Sequence, residues 1–136
     1  MNAELVMTLH VELGQALPVG RVPAGELVII PIVGGSFDGP RLRGRVLCGG
    51  ADWNTRISAQ ESHVCARYWI QTDDGAVIAV HNEGVLHAGA PEDGLQTTPV
   101  FQCDANGPYA WLNSGLYAGT LKGAGERAVE IGIWRL

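Results

Sequence analysis

The sequence predicts an all-β fold, a single antiparallel β-barrel of the calycin-like kind with about eight or more strands and a central cavity. Three observations favour this fold. Glycine accounts for 19 of the 136 residues, about twice its usual share, which is typical of a fold rich in turns. Short segments alternate in hydrophobicity with a period of two, and no segment keeps the spacing of an amphipathic helix over three turns. Without helical crossovers, neighbouring strands are expected to pair antiparallel.

Composition limits the number of domains and the class of partner. A chain of 136 residues, 46% hydrophobic and 17% charged, is expected to fold as one domain over residues 1–136. Its net charge of −5 repels phosphate groups, so neither nucleic acid nor a membrane surface is an expected partner. The N-terminal residues lack a signal-peptide pattern and no apolar run reaches the roughly 18 residues of a membrane span, so we expect a cytoplasmic protein.

The first half of the chain contains three predicted strands. The apolar side of the first strand consists of Leu5, Met7, Leu9, Val11 and Leu13. A second strand covers Leu27–Val33 and is expected to end at the glycine pair 34–35. Because Pro31 has no N–H to donate, it is expected at a sheet edge or a bulge. The third strand is predicted at Arg41–Cys48.

The second half contains the clearest hairpin. His63–Thr72 and Ala76–Asn82 are both strand-like, and the turn signal at Asp73–Gly75 joins them. Gly84–Pro99 has no clean period and is predicted to be a loop. Three more strands are predicted at Tyr109–Asn113, Gly115–Lys122 and Arg127–Leu136. Strands with bulky side chains on both faces favour a barrel over a sandwich, and its lumen is the expected ligand site.

Asp52 and Trp53 follow the glycine pair at residues 49–50. A carboxyl group beside an indole ring is partly desolvated, which raises its pKa and suits it to general acid or base catalysis. In the alternative interpretation, Asp52 only accepts hydrogen bonds from backbone amides of the turn.

Arg67 is flanked by Cys65 and Trp69 on one side of its predicted strand. A guanidinium on a buried strand needs an anionic partner. Two interpretations remain open: an internal ion pair with Asp52, or a ligand carboxylate or enolate oxygen bound inside the barrel.

His81 and Glu83 fall on one side of the following strand, where an imidazole and a carboxylate suit acid/base work near neutral pH. A solvated strand end is the alternative. The four histidines lie on separate segments without zinc-type spacing, and the three cysteines form no CxxC pair. Local spacing therefore predicts no metal, no cofactor and no disulfide.

Aromatic side chains are the remaining candidates. A lumen lined by them would bind an apolar or aromatic ligand, although simple core filling also explains them. The candidate substrate-binding residues are Trp53, Tyr68, Trp69, Trp111 and Asn113, the last offering an amide two positions after Trp111.

Four stretches together resemble the domain of unknown function 3237 family. They are VGGSFDGPRLRGRVLCGGADW at Val33–Trp53, ARY at Ala66–Tyr68, DGA at Asp74–Ala76 and WLN at Trp111–Asn113. The resemblance implies a small β-barrel of the kind found mostly in bacterial and fungal proteins, and it implies no common activity. Cys65 stands where many members have an aspartate, and Leu95–Pro99 lacks an arginine that members often carry.

Two functions fit these observations best. The first is a cofactor-independent isomerase, cyclase or lyase that acts by acid/base catalysis on a small apolar or aromatic carbonyl compound, as in secondary metabolism. Its catalytic residues would be Asp52 for the proton, Arg67 for the oxyanion and His81 for orientation. The second is a carrier that binds a hydrophobic metabolite without turnover, and a structural subunit with a packed lumen is a third possibility. A homodimer is expected because apolar residues lie on both faces of the strands.

Overall fold

The computed structural model describes residues 2–136 as ten β-strands and one 3₁₀ turn. The strands are β1 Glu4–Leu13, β2 Leu17–Val22, β3 Gly25–Asp38, β4 Arg43–Val46, β5 Ala51–Arg56, β6 Glu61–Thr72, β7 Val77–His87, β8 Val100–Gln102, β9 Tyr117–Gly123 and β10 Ala128–Arg135. The 3₁₀ turn, η1, covers Ala110–Asn113. Within residues 2–136 no helix is long and apolar enough to cross a membrane.

The strands form one antiparallel sheet in the order β8-β7-β6-β4-β3-β1-β10-β9, with β2 paired to β3 and β5 paired to both β3 and β6. Residues 96–98 join the two ends of this order. The Thr98 N–H donates to the Glu83 carbonyl of β7 at 2.9 Å, and the Gly119 N–H of β9 donates to the Thr97 carbonyl at 2.9 Å. The predicted all-β antiparallel barrel is therefore confirmed, with ten strands.

The hydrophobic core lies between the inner faces of these strands. Its most completely buried side chains are Met7, Leu9, Val11, Ile70, Ile78, Leu112 and Ile133. The predicted alternation of β1 holds from Met7 onward. Leu5 instead points outward and Val6 is buried, because the register against β10 shifts between Leu5 and Met7 and a shift of one residue exchanges the faces.

The predicted hairpin is confirmed and is the longest pairing in the sheet. β6 and β7 pair antiparallel from Glu61 opposite His87 to Gln71 opposite Val77. Gly75 adopts a φ of +93° in the turn, which a glycine tolerates without strain. Even-numbered residues of both strands point inward, as the burial of Tyr68 and Ile78 shows.

Several predicted elements are wrong or missing. Tyr109–Asn113 is predicted as a strand but contains the 3₁₀ turn, which buries Leu112 against the core. The strands β2, β5 and β8 are not predicted at all. In β2, Pro18 and Gly20 indicate a turn by their residue type, but the segment forms a strand that pairs with β3. Because β2 pairs on one side only, it is an edge strand, where proline is tolerated.

β3 does not end at its glycine pair but continues to Asp38. Gly35 has a φ of +133°, and a Cβ there would lie 2.0 Å from the His10 carbonyl oxygen of β1. The glycine allows β1 and β3 to approach closely at this point. Pro31 itself pairs with Ala51 of β5. The bulge between β1 and β3 follows at Val33, where the pairing shifts from Gly34 to Ile32.

We expect Gly35→Ala to lower the free energy of unfolding by at least about 2 kcal/mol, because the added Cβ is strained at this φ and collides with backbone. Urea denaturation at pH 7 measures the change. Gly123→Ala is the matched control, since no atom lies within 4 Å of its added Cβ. Equal stabilities of the two variants would contradict the close approach of β1 and β3 as the reason for a glycine at position 35.

Candidate functional site

A hollow of about 60 Å³ opens at one end of the barrel interior. Apolar side chains from β1, β3, β6, β9 and β10 line it. Deep in the hollow, Val11 and Ile131 are buried, whereas Leu13, Ile30 and Leu121 at its mouth are only half-buried. The hollow is therefore continuous with solvent at this end.

Four polar side chains interrupt the apolar lining of this hollow: Asp52, Tyr68, Asn82 and Thr97. Among residues 2–136, the Tyr68 hydroxyl, Asn82 Oδ1 and Thr97 Oγ1 are buried without a hydrogen-bond partner. Buried polar atoms almost always have a partner, supplied by protein, water or ligand. All three unpartnered atoms belong to residues that line this one hollow.

Sequence alternation and strand pairing bring these polar groups together. Tyr68 and Asn82 occupy inward positions of β6 and β7, among apolar neighbours. Thr97 comes from the segment that joins β7 to β9. Its hydroxyl oxygen would lie 2.3 Å from a Cβ at Gly119, so only glycine at that position leaves room for it.

Asp52 lies on β5 at the mouth of the hollow and is half-buried. Its Oδ1 accepts a hydrogen bond from the Cys65 N–H of β6 at 2.8 Å. Its Oδ2 accepts one from Asn54 Nδ2 at 3.3 Å. The carboxylate thus accepts a hydrogen bond from a backbone N–H of β6 at a point where the pairing between β5 and β6 is interrupted.

Burial raises the pKa of Asp52, as the sequence argument expected. The hydrogen bonds from Cys65 and Asn54 and the charge of His63 oppose the shift, but desolvation is the larger effect. Tyr68 is 3% exposed, and burial raises its pKa far above the usual range. Its hydroxyl therefore stays protonated and is available as a hydrogen-bond donor.

The structure contradicts the predicted position of Arg67. Arg67 lies on the outer face of β6 and is exposed, and within residues 2–136 no carboxylate lies within 4 Å of its guanidinium. The expected ion pair with Asp52 and the expected oxyanion site inside the barrel are therefore wrong. Both faces of this strand carry large side chains, and the face with Val64, Tyr68 and Ile70 is the one that is buried.

The predicted tryptophan walls are also wrong. Trp53 and Trp69 lie on the outer surface, 41% and 38% exposed, and Trp69 packs over Gly49. Trp111 lies under the Arg41 guanidinium, whose Cζ is 4.0 Å from the ring centre. Asn113 accepts from the Cys103 N–H and donates to the Cys103 carbonyl, both at 2.9 Å, which fixes η1 to the segment after β8.

Arg67, Trp69 and His81 do meet, but on the outside of the barrel. They line a groove of about 370 Å³ between β6, β7 and β8, together with Val100 and Gln102. Of the residues predicted for catalysis and binding, only Asp52 and Tyr68 line the interior hollow. Sequence reasoning missed Asn82 and Thr97 as site residues. A polar Asn82 on the otherwise apolar face of Ile78 and Val80 was the available signal.

A second cluster lies beside the outer groove, on the face opposite to the hollow. Cys65 Sγ is 3.5 Å from His81 Nε2, and that nitrogen is 3.6 Å from Glu83 Oε1. His63 Nε2 lies 2.8 Å from Glu83 Oε2. Burial raises the pKa of Cys65, and the charges of Glu83 and Asp52 raise it further, so its thiol is a poor nucleophile at neutral pH.

Comparisons with known proteins support the fold and give little on activity. A UPF0311 protein of Rhodopseudomonas palustris is 30% identical, over 95% of this chain and 93% of its own. A β-barrel-like protein from Acinetobacter baumannii is 30% identical with a TM-score of 0.84, covering 99% of this chain and 96% of that one. An enzyme from Penicillium herquei is 26% identical with a TM-score of 0.76, covering 98% and 94%.

The family comparison agrees with the resemblance noted in the sequence. The family model described as "Protein of unknown function (DUF3237)" matches residues 1–136. A conserved protein of unknown function from Rhodopseudomonas palustris, with a TM-score of 0.85 and 30% identity, covers 98% of this chain and 96% of its own. The chain therefore belongs to the DUF3237 family.

Proposed function

We propose that the interior hollow binds the polar end of a small, largely apolar carbonyl compound, and that Asp52 transfers a proton on the bound molecule. The protein would then be a cofactor-independent isomerase, cyclase or lyase. One observation carries this proposal: a half-buried carboxyl group with a raised pKa shares a hollow with three unpartnered polar atoms. Acids with a shifted pKa that share a cleft with convergent polar groups are typical of active sites.

The volume of the hollow restricts the ligand. A volume of about 60 Å³ equals the volume that roughly two water molecules occupy in liquid water. Sites for drug-sized ligands measure about 300–1,000 Å³. Only a carbonyl or hydroxyl head group fits inside. The apolar body of the ligand would lie in the mouth, against Leu13, Ile30 and Leu121.

The groups in the hollow suit proton abstraction next to a carbonyl. The Asp52 carboxylate would take a proton from the carbon beside the carbonyl. The electron pair of that C–H bond would form a carbon–carbon double bond, and the π pair of the carbonyl would move onto its oxygen. The Tyr68 and Thr97 hydroxyls would donate to the resulting oxyanion, the role first predicted for Arg67. In a conjugated substrate, return of the proton from Asp52 to a different carbon of the anion gives an isomer. If the substrate carries a β-hydroxyl, the same proton would pass to that hydroxyl, which leaves as water while the oxyanion returns to a carbonyl and gives the dehydrated product.

A carrier is the second candidate, and the hydrogen bonds of Asp52 favour it. Both carboxylate oxygens already accept bonds from Cys65 and Asn54, which suits a structural role in the interrupted β5–β6 ladder. In this case the hollow would hold the same head group without turnover. The Penicillium herquei structure described as an enzyme supports the catalytic candidate over the carrier.

A homodimer in the cytoplasm, expected from the sequence, is part of the proposal. Leu17, Ile29 and Trp53 pair across β2, β3 and β5 and form an apolar row on the outer surface, where Leu17 is 54% exposed. A second copy of the chain would cover this row.

Incubation with a panel of aromatic and alicyclic carbonyl compounds tests the proposed reaction. We expect at least one compound to raise the melting temperature and to yield a mass-neutral or dehydrated product by mass spectrometry. Asp52→Asn should reduce product formation at least about 100-fold, because it removes the base. Asp93→Asn, an exposed carboxyl in the loop after β7, serves as control. A stabilising compound recovered unchanged would favour the carrier, and full activity in Asp52→Asn would exclude Asp52 as the base.

The raised pKa of Asp52 predicts a pH-dependent stability difference. A carboxyl whose pKa is higher in the folded than in the unfolded state destabilises the fold once ionised. Asp52→Asn should therefore be more stable than the wild type at pH 7. The difference should shrink as the pH falls below the pKa of the folded state and vanish below 3.8, the ordinary value. Thermal unfolding between pH 3 and pH 8 measures it, and a pH-independent difference would contradict the desolvation argument.

Tyr68→Phe separates a ligand-binding hydroxyl from a structural one. Removing an unpartnered buried hydroxyl should leave stability unchanged or raise it by up to about 1 kcal/mol, while weakening ligand affinity at least about tenfold. Tyr117→Phe is the matched control because the Tyr117 hydroxyl donates to the Trp111 carbonyl at 3.1 Å. It should lose about 1 kcal/mol of stability and keep the affinity. Destabilisation by Tyr68→Phe would show that its hydroxyl has a structural partner.

A further inference from the structure

We propose that the outer face of the β6–β7 hairpin carries a divalent metal site for Zn²⁺, with Cys65, His81 and Glu83 as ligands. The site is distinct from the interior hollow and does not depend on the function proposed for it. It is formed by the cluster next to the outer groove.

Strand pairing brings the three ligand residues to adjacent outward positions. Cys65 lies opposite Glu83, and His81 lies opposite Arg67, two residues along β7 from Glu83. Residues two apart on a strand share a face. Three ligating side chains on two rigid strands are thus preorganised, although no two of them have zinc-type spacing in the sequence. This convergence explains why local spacing predicted no metal.

Two of the three distances between the ligand atoms match a tetrahedral metal. Zn²⁺ binds sulfur at about 2.3 Å and imidazole nitrogen or carboxylate oxygen at about 2.0–2.1 Å, which places neighbouring ligand atoms roughly 3.3–3.6 Å apart. Cys65 Sγ and His81 Nε2 are 3.5 Å apart, and His81 Nε2 and Glu83 Oε1 are 3.6 Å apart. The third pair is looser: one ligand atom from each of the three residues lies within 4.8 Å of the other two.

The chemical types of the three ligand atoms indicate which ion the site would bind. A thiolate with an imidazole and a carboxylate suits Zn²⁺ and disfavours Mg²⁺ and Ca²⁺, which prefer oxygen ligands. Binding of the ion would displace the Cys65 thiol proton to solvent, and the resulting thiolate together with the Glu83 carboxylate would balance the two positive charges of the ion. The Glu83 side chain is 45% exposed and that of His81 is 43% exposed, so the fourth position is open to water.

His63 supports this arrangement as a positioning residue. Its Nε2 lies 2.8 Å from Glu83 Oε2, which leaves Oε1 directed toward His81. Such outer hydrogen bonds orient metal ligands in known sites.

A catalytic triad of the same three residues fits the geometry less well. A base that relays a proton contacts the nucleophile with one ring nitrogen and the orienting carboxylate with the other. Here His81 approaches both Cys65 and Glu83 through Nε2. One nitrogen facing two ligand atoms is instead the arrangement expected around a shared cation.

A calorimetric titration with Zn²⁺ alone tests the site. The full-length protein is first treated with a chelator and kept reduced. We expect one ion per chain with a Kd of roughly 10 µM or lower. Cys65→Ser and His81→Gln should each weaken binding at least about tenfold. His87→Gln is the matched control: His87 is an exposed histidine on the same strand and face, and its loss should leave the Kd within about twofold of the wild type.

Co²⁺ supplies a second measurement that does not depend on affinity. A thiolate ligand gives Co²⁺ a charge-transfer band in the near ultraviolet, which should appear in the wild type and in Cys48→Ser and disappear in Cys65→Ser. Circular dichroism and melting of the metal-free variants verify their folding. The proposal is overturned if Zn²⁺ binds more weakly than about 1 mM, if Cys65→Ser binds it like the wild type, or if the cobalt band survives in Cys65→Ser.

Discussion

The pairing of β6 with β7 decides what each candidate side chain can contact. Eleven residue pairs hold the two strands in one register, and a slip of a single residue would exchange the inner and outer faces. Tyr68 and Asn82 consequently share the interior, while Cys65 and Glu83 share the outer surface. The same hairpin therefore carries two separate sets of functional groups, one on each side of the barrel wall.

Asp52 connects these two sides. Its carboxyl group lies at the mouth of the hollow, yet it accepts the backbone N–H of Cys65, whose side chain points outward. This bond takes the place of a regular ladder contact and leaves a seam between β5 and β6. Burial of the carboxyl group raises its pKa. Asp52 thus links β5 to β6 at the interruption, and in the proposed reaction it would also act as the base.

Much of the fold could be predicted from turn residues and from the two-residue alternation of side chains, because this alternation is clear in β1 and in the β6–β7 hairpin. Short strands such as β8 depend on partners distant in the chain and gave no local signal. The site was harder to predict. Both faces of β6 are bulky, so alternation grouped Cys65 with Arg67 correctly but did not say which group turns inward. Thr97 enters the hollow only because its segment bridges β7 and β9, a tertiary fact that no local pattern contains.

In the proposed function, the hollow receives a polar group from outside the chain. A crystal structure at a resolution that locates ordered water would test this proposal by the electron density next to the Tyr68 hydroxyl, Asn82 Oδ1 and Thr97 Oγ1. We expect a water molecule or a ligand oxygen within hydrogen-bond distance of at least two of these atoms. A hollow filled by neighbouring side chains, with the Tyr68 hydroxyl bonded to a protein acceptor, would rule the proposal out.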